Sequence, residues 1–258
     1  MVLKDIKEYT KLLKESYKER VAAFEEPPTL AIVQVGNNEA SNRYVNNKLK
    51  DCNEVGITAH CYKYADDITE HELDEELRSI CNFYDGIIVQ LPLPQHIRSS
   101  IATAAIPACK DVDGFRYDSW FNPATPQGIK SYLEYCGFDF VGKHVVIIGR
   151  SDIVGKPLAR LMTDADATVT LCHSKSNLSK FVYDCDLIVT AVGKAGFLNC
   201  YPLHMPIVDV GINFKDGKLV GDCFNTEGRN VTPVPGGVGL LTRCALLDNV
   251  IRAKEMRK

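Results

Sequence analysis

VVIIGRSDIVGKP, residues 145–157, joins a β-branched apolar run to a glycine, a short polar turn, and a second glycine and proline. Four consecutive β-branched residues suit a strand covered on both faces, as in a parallel sheet. Gly149 closes that strand, and Gly155 and Pro157 suit the opening turn of a helix. A strand–turn–helix of this kind aims backbone N–H groups and a helix N-terminus at an anion such as a pyrophosphate. The text departs from GxGxxG: Ser151 takes the second glycine's place and the third glycine falls late, at Gly155. By itself the stretch reads equally as an ordinary strand–turn–helix.

The next strand, ATVTLC (167–172), runs into His173-Ser174-Lys175. Enzymes that prefer NAD usually carry a carboxylate there for the ribose 2′-hydroxyl. Without one, and with Arg150 and Ser174 as donors, a 2′-phosphate fits better, which points to NADP. Two later strands end in small residues, Ala191-Val192-Gly193 and Gly211-Ile212-Asn213. Small residues at the carboxyl ends of parallel strands either turn the chain or admit a ligand closely.

Further out, strand and helix patterns alternate through the chain. Strands are expected at Leu30–Val35, His60–Tyr64, Gly86–Leu91, His144–Ile148, Ala167–Cys172, Leu187–Ala191 and Ile207–Val210. Helices are expected over the N-terminal stripe from Val2 to Tyr17 and over Ala40–Val55, Glu70–Phe83, Gln127–Cys136, Val154–Met162 and Leu240–Lys258. Two runs of alternation predict an α/β protein with two lobes and a boundary within 115–140.

The 258 residues, 45% hydrophobic and 24% charged, suffice for two modest cores. A net charge of -3 offers no field for nucleic acid or an anionic membrane. No apolar run approaches about 18 residues, and the charged N-terminus is unlike a signal peptide. The ten cysteines are scattered without a CxxC pair, so they read as free thiols in a cytoplasmic protein and not as a disulfide or metal framework.

In the first lobe, Ser41, Tyr44 and Lys48 share one stripe of the helix 40–55, beside the apolar stripe of Val45, Leu49 and Cys52. Lys48 reads either as a snorkelling surface amine or as a partly desolvated one that exchanges protons. Gln90 closes a buried strand just before Leu91-Pro92, where its carboxamide needs partners. Asp111 and Asp113 lie in a polar turn, a usual site for backbone capping. Pro235-Gly236-Gly237 forms either a rigid turn or a set of free N–H groups before the last helix.

SNRYVNNK (41–48), VQLPLP (89–94), KDVDGF (110–115), PATPQGI (123–129), GRSDIVGKP (149–157), ATVTLCHSKS (167–176), VDVGIN (208–213) and TPVPGGVG (232–239) occur in this order across nearly the whole chain. In these segments the sequence resembles the bifunctional methylenetetrahydrofolate dehydrogenase/methenyltetrahydrofolate cyclohydrolase family. The departures are Ala124 where that family usually has cysteine, Leu240-Leu241 where Pro-Met is common, and a short segment between Asn213 and Thr232.

The resemblance implies an α/β substrate domain, residues 1–120 with 238–258, joined to a Rossmann-type NADP domain, 121–237, with a cleft between them. It implies NADP-dependent oxidation of methylenetetrahydrofolate and hydrolysis of the methenyl product to 10-formyltetrahydrofolate, by a cytoplasmic homodimer of one-carbon metabolism. Lys48 resembles the general acid/base, Gln90 its hydrogen-bonding partner, Asp113 the pterin-binding acid and Tyr44 the ring that stacks on folate. Ser41, Leu91, Pro235, Gly236 and Gly237 complete the implied substrate contacts. The implied cofactor contacts are Gly149, Arg150, Ser151, Ile153 and Val154, then His173 and Ser174, then Ala191, Val192, Gly193 and Ile212. No metal is implied.

Overall fold

The computed structural model describes residues 1–199, 201–202 and 204–257. Cys200 and Lys258, the latter the expected end of the last helix, lie outside the described residues. In chain order the elements are α1 (Ile6–Ala22), β1 (Thr29–Val35), α2 (Glu39–Val55), β2 (Thr58–Tyr64), α3 (Glu70–Ile80), β3 (Gly86–Val89), α4 (Ser99–Ala104), α5 (Ala124–Tyr135), β4 (His144–Ile148), α6 (Gly155–Thr163), β5 (Thr168–Cys172), β6 (Leu187–Thr190), β7 (Ile207–Asp209), β8 (Asn213–Lys215), β9 (Lys218–Val220) and α7 (Val238–Glu255). They group into two compact units.

The three-stranded unit comprises Leu13–Ala124 and Ala245–Lys258. Its sheet is parallel, in the order β2-β1-β3. Every residue of β3 and all but the first of β1 are buried, as expected of strands covered on both faces, whereas edge strand β2 alternates with solvent. Leu73, Leu77 and Ile80 of α3 lie four and three residues apart and pack into one cluster with Ala31, Val33 and Ile87. Thr69 opens α3 with a capping box, accepting from the Glu72 amide (3.2 Å) while the Glu72 carboxylate accepts from the Thr69 amide (2.8 Å). Gly56 ends α2 in the left-handed region, φ 88°.

The four-stranded unit comprises Met1–Leu12 and Thr125–Cys244. Its parallel sheet runs β5-β4-β6-β7, and β8 and β9 form a separate antiparallel hairpin. Val146, Ile148, Ile188 and Ile207 face one cluster with Val182, Leu198, Tyr201 and Met205. Gly128 lets α5 approach the backbone of Leu241 in α7, where a Cβ would find no room.

Expected and observed elements differ in a few places. The N-terminal stripe is less uniform than its spacing predicts: Ile6, Tyr9 and Tyr17 are buried, but Val2 is exposed, Leu12 is half-exposed, and the helix begins only at Ile6. Short helix α4 and the β8–β9 hairpin were not anticipated, because SSIATA and NFKDGKLV are too short to carry a period. All nine described cysteines are free thiols, as expected, and four of them are buried. Among the described residues no helix is long and apolar enough to cross a membrane.

Candidate active site

In the three-stranded unit the winding reverses at β1, with β2 on one side and β3 on the other. Ligands of doubly wound sheets sit outside the strand ends at such a reversal. Gln90 follows β3 there, held by its amide donating to the Val33 carbonyl of β1 (2.8 Å). Helix α2, which leaves β1, carries Ser41, Tyr44 and Lys48. Lys48 Nζ donates to Gln90 Oε1 at 3.1 Å and lies 3.9 Å from Asp113 Oδ2. Gln90 Nε2 donates to the Leu91 carbonyl (2.8 Å), which turns the amide oxygen toward the lysine. The Leu91–Pro92 peptide is cis.

The Lys48 and Asp113 side chains retain only 12% and 10% exposure, so the ion pair sits largely out of water. An ammonium has three hydrogens. With the carboxamide and carboxylate in two directions, one remains for water or a ligand. Tyr44, one turn before Lys48, keeps 37% of its surface exposed, an aromatic face open to stacking. Ser41 is buried near the start of α2, where its amide donates to the Asn38 cap (3.0 Å). Cys52, a turn beyond Lys48, is inert: burial pushes its thiol up to about 12.

The two acids of the DVDGF turn have separate tasks. Asp111 is buried and accepts from the Arg116 amide (2.8 Å), closing its own turn. Burial raises its carboxyl above the usual carboxylate range, opposed by that amide. Asp113 faces Lys48 instead. The sequence names these residues but not that division.

In the four-stranded unit the winding reverses at β4, between β5 and β6. Gly149 follows β4 at φ 125°, and a Cβ on it would run into the Ala191 carbonyl at the end of β6. A Cβ on Gly155 would run into the Gly149 carbonyl. These two glycines let the backbone close into a cradle that no side chain fills. Ser151 Oγ accepts from the Val154 (3.2 Å) and Gly155 (3.4 Å) amides just ahead of α6, standing where GxGxxG has its second glycine.

The Gly149 amide donates to the Cys172 carbonyl (3.0 Å), which aligns Arg150 with His173 and Ser174 at the end of β5. All three are exposed and no carboxylate stands beside them on that strand end. Ile153, Val192 and Ile212 expose 41%, 37% and 46% of their surface at successive strand ends. Apolar side chains left open at the ends of buried strands suit a flat ring or a ribose. Val154 and Ala191 are half-buried and Gly193 is exposed in the same rim. Glycine cradle, exposed apolar rim and cationic strand end together fit a phosphorylated dinucleotide.

Pro235, Gly236 and Gly237, grouped with the substrate contacts from the sequence, fall in the four-stranded unit, whereas Lys48, Gln90 and Asp113 fall in the other. The Val234–Pro235 peptide is cis and Gly236 has φ 93°. Sequence reading passed over Asp222, which accepts from the amides of Val192 (2.7 Å), Gly193 (3.2 Å) and Lys194 (2.9 Å). Its only sequence signal is a Gly-Asp pair after a short hairpin, which reads as a turn.

Comparison with known proteins gives two family matches. Residues 5–113 match the catalytic domain of tetrahydrofolate dehydrogenase/cyclohydrolase, and residues 123–258 match the NAD(P)-binding domain of the same family. The chain is 42% identical to the bifunctional protein FolD of Campylobacter concisus, over 100% of this chain and 99% of that one. The crystal structure of the FolD methylenetetrahydrofolate dehydrogenase/cyclohydrolase from Campylobacter jejuni superposes with a TM-score of 0.92 at 37% identity, covering 98% of each chain. That of the Trypanosoma brucei enzyme, complexed with NADP cofactor and inhibitor, gives 0.91 at 29% identity, covering 100% of this chain and 98% of that one.

Proposed function

The chain belongs to the tetrahydrofolate dehydrogenase/cyclohydrolase family, and from that premise we propose which of its atoms serve each of two reactions. It is a bifunctional enzyme: it oxidises 5,10-methylenetetrahydrofolate with NADP and hydrolyses the resulting 5,10-methenyltetrahydrofolate to 10-formyltetrahydrofolate. Bound NADP supplies the hydride acceptor. Gly149 and Gly155 leave room for its pyrophosphate, Arg150 and Ser174 take the 2′-phosphate, and Ile153, Val192 and Ile212 offer apolar contact.

The oxidation leaves a cation shared by two nitrogens, so it needs no strong base from the protein. Tyr44 stacks on the folate and holds the bridging carbon in place, a proximity effect. Hydrolysis does need proton transfer. Water adds to the methenyl carbon, Lys48 in its neutral amine form takes a proton from it, and the ammonium so formed, facing Asp113, returns that proton to N5 as the C–N5 bond breaks. The second water proton leaves to solvent as the formyl C=O forms. Gln90 Oε1 holds the amine in position, and Asp113 both balances its charge and accepts from the pterin edge.

The observation that carries this reading is the Lys48 amine held at 3.1 Å from Gln90 and 3.9 Å from Asp113 in a largely dry site. Replacing it by a neutral chain of similar length isolates its role. Lys48→Met is expected to lower hydrolysis roughly 100-fold or more, the usual worth of a general acid/base, and to impair oxidation less. Hydrolysis retained at the wild-type rate would remove the role given to Lys48.

We also propose that residues 1–120 with 238–258 surround the folate and 121–237 the NADP; the family matches favour a boundary between 113 and 123 but place 238–258 within the NAD(P)-binding match. Homodimeric assembly and a cytoplasmic setting rest on the family resemblance. The net charge of -3 gives no support for nucleic acid as a partner.

A further inference from the structure

Asp222 and Asp209 are buried carboxylates of the four-stranded unit, with 0% and 2% exposure, and the reactions above use neither. Asp209 ends β7; Asp222 follows β9 after Gly221. The two lock together through backbone. Asp209 Oδ1 accepts from the amides of Gly211 and Asp222 (both 2.9 Å), and Oδ2 accepts from the Cys223 amide (2.8 Å). A Cβ on Gly221 would run into the Asp209 carboxylate, and one on Gly211 into that of Asp222. Each acid therefore lies flat against the glycine beside the other, a fit that tolerates no side chain.

Asp222 reaches outward from this lock. Its Oδ2 accepts from the Val192 and Gly193 amides and from Thr190 Oγ1 (3.3 Å). Its Oδ1 accepts from the Lys194 amide and from Asn213 Nδ2 (3.0 Å). Three successive amides converging on one anion form a nest, the backbone concavity that elsewhere binds phosphate. Here a carboxylate of the same chain occupies it, so those N–H groups are spent on position and not on ligand. One side chain thus ties the loop after β6 to Asn213, next to Ile212. Ala191, at the head of that loop, is the residue Gly149 packs against.

We propose that Asp222 is a positioning residue for NADP, a buried anion that fixes the strand-end loops carrying Val192, Gly193 and Ile212 in their cofactor-binding form. This rests on the strand-end reading of the NADP site given above. Its energetic basis is that five hydrogen bonds converge on one ionised group, and charge-assisted bonds are the strong ones.

The test is Asp222→Asn, isosteric but with an NH2 that must confront N–H donors on one side of the nest. Asn213→Ala, at a half-buried position, removes a single donor and spares the core should the first variant not fold. NADPH binding is titrated by its fluorescence, KM is measured separately for NADP and for methylenetetrahydrofolate, and methenyltetrahydrofolate hydrolysis is followed without any cofactor. Asp222→Asn is expected to raise the Kd and the KM for the dinucleotide roughly tenfold or more, about the worth of one lost charge-assisted bond. Asn213→Ala should move both the same way by less. The folate KM and cofactor-free hydrolysis should stay within about twofold, a split that general loss of structure does not give. Unchanged dinucleotide affinity in whichever variant folds would overturn the proposal. Arg150→Ala and Ser174→Ala separate the two layers: if neither weakens NADP binding, the strand-end reading fails and takes this proposal with it; if they weaken it while Asp222→Asn does not, only the role of Asp222 falls.

Discussion

Arg150 and Ser174 stand on adjacent strand ends without a carboxylate beside them, and their placement follows from one backbone bond, Gly149 amide to Cys172 carbonyl. A phosphate on the ribose gains charge-assisted bonds there; a bare ribose hydroxyl gains little. Ser174→Glu should therefore weaken NADP by roughly tenfold or more while sparing NAD, as a carboxylate repels the phosphate and accepts from the hydroxyl. Binding titrations with both dinucleotides read the ratio, and an unchanged ratio would move the 2′-phosphate elsewhere. The strand-end placement of this pair was legible in the sequence because it needs only a strand and its end. Asp222 was not, since its partners at residues 190–194 and 213 are brought to it by the sheet and the hairpin, and neither separation nor spacing announces them. Asp111 and Asp113 lie between: the motif marks both, but only the packing decides that one closes a turn and the other meets a lysine.

At the scale of elements, the buried parallel strands were the easiest to read. His144–Ile148 was placed to the residue, and β1 and β3 to within two, because an unbroken β-branched run has few alternatives. Two helix ends are fixed by local chemistry that the structure shows. Thr69 and Glu72 form a capping box at the start of α3, and Gly56 stops α2. Thr69→Ala removes the cap from the Glu72 amide and should cost about 1 kcal/mol of stability, read by urea unfolding with unchanged slope. No loss of stability would mean that the packing of Leu73 and Leu77 holds the first turn without its cap. Elements set by tertiary context escaped the pattern. Helix α4 has six residues, and the β8–β9 hairpin pairs three residues with three, too few for either period to register.

At the scale of the molecule, each unit places its chemistry where a parallel sheet reverses its winding: Lys48 and Gln90 beside β1 and β3, Gly149 and Ala191 beside β4 and β6. The two reversals thus bring the proposed folate and NADP residues to strand ends in each unit. The central claim is that this chain both oxidises methylenetetrahydrofolate with NADP and hydrolyses the methenyl product. An absorbance assay with purified protein, methylenetetrahydrofolate and either NADP or NAD follows reduced cofactor and methenyltetrahydrofolate separately, with spontaneous hydrolysis subtracted. The expected result is reduced NADP, formed faster than reduced NAD, without a persisting methenyl signal. A methenyl product that accumulates in step with reduced cofactor, or no turnover with either dinucleotide, would contradict it.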